Sequence, residues 1–403
     1  MSAASAERLD RPPPSVVPRP LRVGLNLIFL GARAGGAGRY ARELTGGLLA
    51  AEPATEVTVF VSREAPADLR AEPWAQGVRW VTVPVVMHGP PLHVPAEYLA
   101  LPALAALGGL DVLHSPANTG PAVTPRVASV VSVLDLIWLH RPAEWEASPR
   151  VHRTMRRRVG RAVRRADRIF TISHATASDL EATLGLAGER IEVTPLAARP
   201  PHAEAAAEGL LRTQLGLADA RVLLCVAQKR PYKNLHRLVR ALPALDEDVT
   251  LVLPGSPTPY EAQLRALAAE LGVERRVRFP DWLSEEQLEG LYALSSAFVL
   301  PSLIEGFGLP VLEAMLRGVP VACSNAPALT EVAGEAALTF DPERQDEATA
   351  AIRRLLDDRG LARELAGRGL QRAQAFTWRR TGELSLAGYR RAIAARGQVP
   401  GGR

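Results

Sequence analysis

The feature that most constrains this chain is a series of short apolar runs, rich in valine, isoleucine and leucine, that alternates with helical patterns along the sequence. Such runs are typical of parallel strands buried on both faces, and parallel strands need long crossover connections, usually helices. The pattern therefore predicts an α/β fold with doubly wound parallel sheets. The predicted strands cover residues 21–28, 56–61, 78–83, 111–114, 127–133, 168–172 and 191–193, then residues 221–226, 250–253, 277–279, 297–300, 320–323 and 337–340.

The length of the chain favours two domains. It has 403 residues, whereas single hydrophobic cores stop growing at about 250–300 residues. Prolines and an alanine- and glutamate-rich stretch interrupt the periodic pattern at 195–209. We therefore expect one domain over 21–198 and another over 199–378, with a last helix at 379–397 packing back on the first. Residues 1–20 are rich in proline and lack an apolar stretch, which predicts a disordered leader rather than a secretory signal.

Charge and cysteine content limit the classes of function. A net charge of +5 fits attraction to phosphates, nucleotides or an anionic membrane surface, but it does not indicate nucleic-acid binding. Cys225 and Cys323 lie in apolar runs and are predicted to be buried free thiols in a reducing cytosol. The best membrane candidate, residues 98–110, is shorter than the roughly 20 residues that span a bilayer. We expect a cytoplasmic protein with at most peripheral contact to the inner face of a membrane.

Two glutamates flank a glycine-rich turn after the predicted strand at 297–300. The segment from Glu305 to Glu313 reads Glu-Gly-Phe-Gly-Leu-Pro-Val-Leu-Glu, and its proline suits the first turn of a helix that begins near Leu309. Glycine at Gly308 allows close approach to a ligand, and free N–H groups at a helix start bind anions. Carboxylates accept hydrogen bonds from sugar hydroxyls. The spacing indicates a nucleotide-sugar site, with stabilisation of the helix dipole as the alternative role of Glu313.

This segment resembles the Glu-x7-Glu motif of retaining GT-B glycosyltransferases of glycosyltransferase family 4, which includes bacterial mannosyl- and glucosyltransferases. The stretches at 324–334 and 341–342 resemble further signatures of that family, and the similarity in pattern extends over residues 21–389. The resemblance implies a GT-B fold, in which two Rossmann-like domains face each other across the cleft that holds the active site. It also implies site residues in this segment: Glu305 as a catalytic group at the donor hexose, Glu313 at the ribose, and Phe307, Gly308 and Leu309 beside the diphosphate and sugar.

A basic loop follows the first predicted strand of the second domain. Cations there can neutralise the charge that develops as a nucleoside diphosphate departs, whereas a solvated surface loop is the alternative. The resembled family has a lysine in this loop, which Lys233 matches, and an arginine upstream, where this chain has Gln228. Arg230 is therefore assigned with Lys233 to the catalytic and donor-binding groups, and Lys229 is the second candidate for the arginine's role.

A glycine-rich stretch follows the first predicted strand of the chain, and we expect a loop over residues 31–40 before an amphipathic helix. In the resembled family such a loop approaches the donor phosphates and the acceptor, which assigns Gly35 and Gly36 to the site. The stretch also fits Gly-x-Gly-x-x-Ala, a dinucleotide-binding pattern, so an NAD(P)-dependent oxidoreductase is an alternative function. That alternative leaves the segment at 305–313 unexplained.

The acceptor side departs from the family's pattern. Leu134 stands where the family's His-Asp-Leu element has its histidine, while Asp135 is retained and is predicted to orient an acceptor hydroxyl or to cap a helix. Candidates to replace the histidine are His114, His140 and His174, of which His174 is assigned to the site. The departure also leaves open a non-catalytic GT-B module that binds a partner or a glycan.

An arginine-dense helix is predicted from Arg150 to Arg168, with one apolar face. We expect this face to pack on the core while the basic face is solvated. The alternative is that the helix binds an anionic leaflet or a lipid-phosphate acceptor.

The resemblance implies a reaction as well as a fold. A mannosyl- or glucosyl-type hexose would move from a UDP- or GDP-linked donor to a hydroxyl of a sugar, lipid-linked or small-molecule acceptor, with retention of anomeric configuration. No cofactor and no metal ion is expected. The acidic triplet at 246–248 lies in a polar loop and is interpreted as surface.

Overall fold

The computed structural model of the protein describes residues 19–31, 35–85, 96–121, 124–145, 149–201 and 204–397. The predicted disordered leader lies outside the described residues, apart from its last two positions. Within the described ranges the strands form two sheets in which every pairing between strands is parallel. All the predicted strands are present, with bounds within two residues of the prediction.

The first sheet contains β1 (Arg22–Asn26), β2 (Glu56–Val61), β3 (Val78–Thr82), β4 (Val112–Ser115), β5 (Ala128–Val133), β6 (Arg168–Thr171) and β7 (Ile191–Val193). The second contains β8 (Arg221–Leu224), β9 (Val249–Val252), β10 (Val277–Arg278), β11 (Ser295–Leu300), β12 (Val321–Ser324) and β13 (Ala337–Phe340). The spatial orders are β3-β2-β1-β4-β5-β6-β7 and β10-β9-β8-β11-β12-β13. The direction of winding therefore reverses between β1 and β4 and between β8 and β11, and ligands bind at such points beyond the strands' carboxyl ends.

The helices connect the strands and cover both sheets. They are α1 (Gly35–Ala51), α2 (Leu101–Leu107), α3 (Ile137–His140), α4 (Pro149–Arg165), α5 (His174–Leu184), α6 (Glu208–Leu215), α7 (His236–Ala241), α8 (Pro259–Glu270), α9 (Glu285–Leu294), α10 (Leu309–Leu316), α11 (Pro327–Ala333), α12 (Gln345–Asp357), α13 (Arg359–Ala373) and α14 (Trp378–Gly397). Two parallel-sheet Rossmann-like domains result, which confirms the predicted fold class. In the part of the chain that the structure describes, no helix is long and apolar enough to cross a membrane.

The last helix, α14, returns to the first domain and packs against α1, β4, β5 and β6. Its backbone touches that of α1, because a Cβ at Gly382 would lie 2.1 Å from the carbonyl oxygen of Gly47. Tyr389 of α14 hydrogen-bonds Nδ1 of His114 at 2.7 Å, and the Nε2 of that ring lies 2.7 Å from Ser132 Oγ. Burial lowers the pKa of His114 to about 3, so the ring is neutral and part of the core.

The predicted loop at 31–40 is wrong in its second half. Helix α1 begins at Gly35, whose φ of +56° sets the entry of the chain, so Gly36 and the residues after it belong to the first turns of the helix. Residues 32–34 lie outside the described residues. The glycine-rich composition concealed this start, because glycine has a low helix propensity.

Candidate active site

A cleft of about 2240 Å³ lies between the two domains at the carboxyl ends of both sheets. Small-molecule sites commonly measure about 300–1,000 Å³, so this space is large enough for a nucleotide-sugar and an acceptor together. Most of the predicted site residues line it: Gly35, Gly36, Asp135, Lys233, Glu305, Phe307, Gly308, Leu309 and Glu313. Arg230 and His174 are not among its lining residues.

The cleft holds a largely buried ion pair. Lys233 lies in a short helical turn after β8, and Glu305 lies in the loop after the neighbouring β11. Lys233 Nζ donates to Glu305 Oε1 at 2.6 Å, and Ser302 Oγ donates to the same oxygen at 2.7 Å. Burial is the largest single effect and lowers the pKa of Lys233, but the charge and hydrogen bond of Glu305, together with Tyr232 and Cys225, outweigh it, so the pKa lies above its usual value. The lysine therefore keeps its positive charge beside the carboxylate.

Helix α10 begins directly after this pair. Gly308 adopts φ +101°, and a Cβ there would lie 2.4 Å from Leu329 Cδ2, so both the backbone and the space favour glycine. The ring of Phe307 is buried and packs edge-to-face on Phe376, which leaves its main chain to face the cleft. The start of α10 therefore offers backbone N–H groups and the positive end of a helix dipole to an anion.

Glu313 lies one turn into α10 and is nearly inaccessible. Its Oε2 accepts a hydrogen bond from the hydroxyl of Tyr292 at 3.1 Å. Its Oε1 accepts from Arg39 Nη1, which reaches across from α1 in the first domain. Glu305 and Glu313 thus face the same cleft through side chains on either side of the glycine turn.

The domains approach each other at Gly306. A Cβ at this position would lie 2.4 Å from the carbonyl oxygen of Leu134 and 3.0 Å from Asp135 Cβ, both in the first domain. The Gly306 carbonyl oxygen accepts hydrogen bonds from Ser173 Oγ at 2.7 Å and from Thr176 Oγ1 at 3.2 Å. The loop that carries Glu305 is therefore fixed against the loop that follows β5.

Asp135 lies beside the ion pair on the first-domain side. Its Oδ1 accepts the N–H of Ile137, the first residue of the short helix α3, at 3.0 Å. Burial and then the negative charge of Glu305 raise the pKa of Asp135, against the opposing effects of that hydrogen bond and of Lys233. The folded state thus disfavours the ionised carboxylate.

We expect Asp135→Asn to raise the melting temperature at pH 7 and to have no such effect near pH 3. The folded-state pKa of Asp135 lies above its unfolded value, so the cost of its charge is absent below the unfolded pKa and appears as the pH rises through the folded one. Thermal unfolding of both proteins across this range measures the difference. The same substitution at the exposed Asp219 is the control and should shift the melting temperature little at either pH. A lower melting temperature for Asp135→Asn at pH 7 would contradict the assignment.

Of the basic loop, the structure places Lys233 in the cleft lining and the two candidates for the arginine's role outside it. Arg230 Nη1 points to the main-chain carbonyl of Glu144 at 3.4 Å, and its residue does not line the cleft. Lys229 is fully buried, and its Nζ lies 2.8 Å from Glu261 Oε2, so its charge is paired inside the second domain and away from the cleft. Gln228, which stands at the position where the resembled family has its arginine, also lines the cleft. The direction of each side chain was not visible in the sequence.

None of the three candidate histidines replaces Leu134 in the cleft lining. His114 lies in the core, as described above. His140 Nε2 lies 2.8 Å from both carboxylate oxygens of Asp179. His174, which the sequence assigned to the site, begins α5 and lines a separate depression; its main-chain N–H donates to Glu331 Oε1 of the second domain at 2.9 Å. The structure therefore does not bring His174 together with the other predicted site residues.

On the first-domain side, one face of α4 lines the cleft. Arg150, Thr154 and Arg158 follow each other at four-residue spacing and all line the cleft, as does Glu97. Arg158 Nη2 donates to Glu97 Oε2 at 2.6 Å. The carboxyl-terminal half of α4 buries its apolar face, whereas Val151 near its start is 52% exposed. The apolar stripe therefore packs on the core over only part of its length.

Three polar residues that line the cleft or contact its carboxylates were not predicted from the sequence. Ser302 bonds Glu305, and Arg39 and Tyr292 bond Glu313. Ser302 lies three residues before Glu305, a spacing at which a loop hydroxyl can reach the carboxylate. Arg39 and Tyr292 come from elements far away in the chain, so no local pattern indicates them.

Comparison with known proteins identifies the family. Residues 34–198 match the family described as "Glycosyltransferase Family 4", and residues 210–372 match "Glycosyl transferases group 1". The chain is 31% identical to the D-inositol 3-phosphate glycosyltransferase of Acidothermus cellulolyticus over 90% of this chain and 87% of that protein. It is 33% identical to the MMP alpha-(1->4)-mannosyltransferase of Mycolicibacterium hassiacum over 62% of this chain.

The match to the mannosyltransferase spans 61% of that relative's length. Among solved structures, Anabaena HepE in complex with UDP and glucose superposes with a TM-score of 0.69 at 20% identity, covering 91% of this chain and 98% of that one. This likeness confirms the GT-B fold. The matches in sequence show the family as well. The chain belongs to glycosyltransferase family 4.

Proposed function

We propose that the protein transfers a hexosyl group of mannosyl or glucosyl type from a nucleoside-diphosphate sugar to an acceptor hydroxyl, with retention of anomeric configuration. The observation that carries the proposal is the buried Lys233–Glu305 pair, which lies beside the amino end of α10 with Glu313 one turn further on. A carboxylate for the ribose, an anion site for the diphosphate and a charged pair for the hexose thus follow one another along one wall of the cleft.

The donor residues act by binding and by neutralising charge. Glu313 accepts the ribose hydroxyls, and the N–H groups at the start of α10 bind the diphosphate. Lys233 lies where the bond between C1 of the hexose and the phosphate oxygen breaks, so its ammonium group stabilises the negative charge that develops on the leaving diphosphate. Glu305 orients both the lysine and the hexose hydroxyls.

We infer same-face attack as the route to retention. The acceptor oxygen bonds C1 on the face that the phosphate leaves, through an oxocarbenium-like state, and the acceptor proton passes to a leaving phosphate oxygen. In this route the protein needs no covalent nucleophile, and the ion pair of Glu305 with Lys233 suits a binding role. Asp135, opposite Glu305, orients the acceptor hydroxyl. Neither a metal ion nor a cofactor takes part in the proposed reaction.

Donor and acceptor are proposed by class. The Anabaena neighbour binds UDP and glucose, and the relatives are a mannosyltransferase and a D-inositol 3-phosphate glycosyltransferase, so UDP- and GDP-hexoses are the donors to test. The acceptor is a sugar, a lipid-linked or a small molecule seated between Asp135 and α4. The exposed arginines of α4 suit peripheral contact with the inner face of a membrane from the cytoplasm.

The two other functions are less well supported. The alternative of an NAD(P)-dependent oxidoreductase depended on a loop from Gly36 to Ala41, and these residues lie in the first turns of α1 rather than in a phosphate loop. A non-catalytic module rested on Leu134, whose carbonyl oxygen packs against Gly306 and holds the donor loop in place.

Thermal unfolding with UDP, GDP and NADP separates these functions. We expect UDP or GDP at millimolar concentration to raise the melting temperature, because a ligand that binds only the folded state stabilises it. EDTA should leave that shift unchanged. Stabilisation by NADP alone would refute the transferase. Binding of UDP or GDP without turnover of any UDP- or GDP-hexose would favour the non-catalytic module.

A further inference from the structure

Arg39 links the two domains across the donor side of the cleft. It lies in the second turn of α1, and its Nη1 donates to Glu313 Oε1 on α10. The other oxygen of Glu313 accepts from Tyr292, whose ring is buried behind α10. Oε1 is thus the oxygen that faces the opposite domain, and Arg39 occupies it.

The guanidinium group of Arg39 is incompletely satisfied. Its Nε–H is buried and has no hydrogen-bond acceptor among the described residues, although the side chain as a whole is 29% exposed to the cleft. Buried guanidinium N–H groups normally find an acceptor, because leaving one unpaired costs folding free energy. A ligand that brings an acceptor oxygen to this point of the cleft would satisfy the N–H.

The surroundings of Arg39 indicate which ligand. Gly35 and Gly36 precede it at the start of α1, and Gly308 and Leu309 lie at the start of α10, the helix that carries Glu313; all four line the same cleft. Two helix starts and a guanidinium group make this region suited to an anion with several oxygens. A diphosphate supplies such oxygens, and arginine binds phosphate with two parallel hydrogen bonds.

We propose that Arg39 is a donor-binding residue that exchanges partners: it pairs with Glu313 when the nucleotide is absent and turns to the diphosphate when the ribose takes Glu313. This inference rests on the proposed function, because it assigns the ribose to Glu313. The exchange links occupancy of the donor site to the contact between the domains. Without nucleotide, Arg39 of the first domain contacts Glu313 of the second directly, and with nucleotide it makes the contact through the bound diphosphate.

The exchange predicts opposite effects on two ligands. Without Arg39, a nucleoside loses no phosphate contact and no longer competes for Glu313, so its affinity should be unchanged or higher. A nucleoside diphosphate loses a charge-assisted contact, so its affinity should fall by about 10–100-fold. A residue with a purely structural role would weaken both ligands alike.

Calorimetric titration of wild type, Arg39→Ala and Arg39→Lys tests this, with UDP against uridine and GDP against guanosine. We expect Arg39→Ala to lower the ratio of diphosphate to nucleoside affinity at least tenfold and Arg39→Lys to recover part of it. The control is Glu331→Ala, which removes a contact between the domains outside the cleft, at the start of α5. It should leave the ratio at the wild-type value.

The outcomes distinguish the exchange of partners at Arg39 from the proposed function. Equal weakening of diphosphate and nucleoside in both Arg39 variants, or the same ratio change in Glu331→Ala, would overturn the exchange while the proposed function stands. An unchanged ratio in Arg39→Ala would overturn it as well. Failure of the wild type to bind either UDP or GDP would instead overturn the proposed function, and the inference with it.

Discussion

Replacing Glu305 by glutamine should reduce kcat by about 10²–10³-fold, the loss seen when one electrostatic group at a reacting centre is removed. Glutamine keeps the shape of the side chain and can still accept hydrogen bonds from Lys233 and Ser302, which lie 2.6 and 2.7 Å from Oε1. It removes the charge that holds the ammonium group of Lys233 in its position. Burial then dominates and lowers the pKa of Lys233, so the leaving diphosphate loses its cation.

Turnover of a UDP- or GDP-hexose, read as release of UDP or GDP, measures this effect. The control is Glu335→Gln, which removes the same charge from an exposed position of the second domain and should leave kcat unchanged. Because the Lys233–Glu305 pair is buried, we also expect a lower melting temperature for Glu305→Gln. Full activity of a folded Glu305→Gln protein would contradict the assignment of this residue to the reaction.

Replacing Gly306 by alanine should reduce kcat by about 10²-fold while each domain stays folded. The new Cβ would lie 2.4 Å from the carbonyl oxygen of Leu134, and real Cβ atoms do not approach a backbone oxygen so closely. Because that oxygen belongs to the opposite domain, the clash is relieved by moving the two walls of the cleft apart. A displacement of about 1 Å at a reacting centre can cost this much.

The matched control for this prediction is Gly367→Ala. Gly367 lies within α13, and a Cβ there would meet nothing within 4 Å. Alanine should stabilise this helix by about 0.5–1 kcal/mol and leave kcat unchanged. The two variants differ in where the same methyl group is added, so circular dichroism and kcat together separate a domain displacement from general destabilisation. Equal kcat values for both variants would show that the contact at Gly306 does not position the site.

The fold could be predicted from the sequence because each strand of a parallel sheet is buried on both faces and therefore appears as a continuous apolar run. Val222, Leu223 and Leu224 in β8, and Phe298, Val299 and Leu300 in β11, illustrate this: all six are fully buried. The loops that follow these two strands carry Lys233 and Glu305. Adjacent strands of one sheet bring such loops together, so the meeting of the two residues follows from the topology.

Contacts between distant segments could not be predicted in the same way. Arg39 and Glu313 are separated by 274 positions and meet only because the domains face each other. The position of Arg230 outside the cleft lining has a different cause, since neighbouring residues of one loop point in different directions. Asn234, with φ of +59°, follows Lys233 and fixes the turn that aims this lysine at the cleft, whereas Arg230 precedes the turn in extended conformation. Backbone angles of this kind leave little trace in residue type.

Retaining transfer from a nucleotide-sugar is tested most sharply by the anomeric configuration of the sugar that the wild-type protein releases from an α-linked UDP- or GDP-hexose. Proton NMR at early times, before mutarotation, reads this configuration for transfer to an acceptor and for slow transfer to water. A retaining transferase with its donor at Glu305, Glu313 and Lys233 gives the α-anomer first. The β-anomer as first product would contradict retention, and the absence of release from every UDP- and GDP-hexose would contradict the proposed donor.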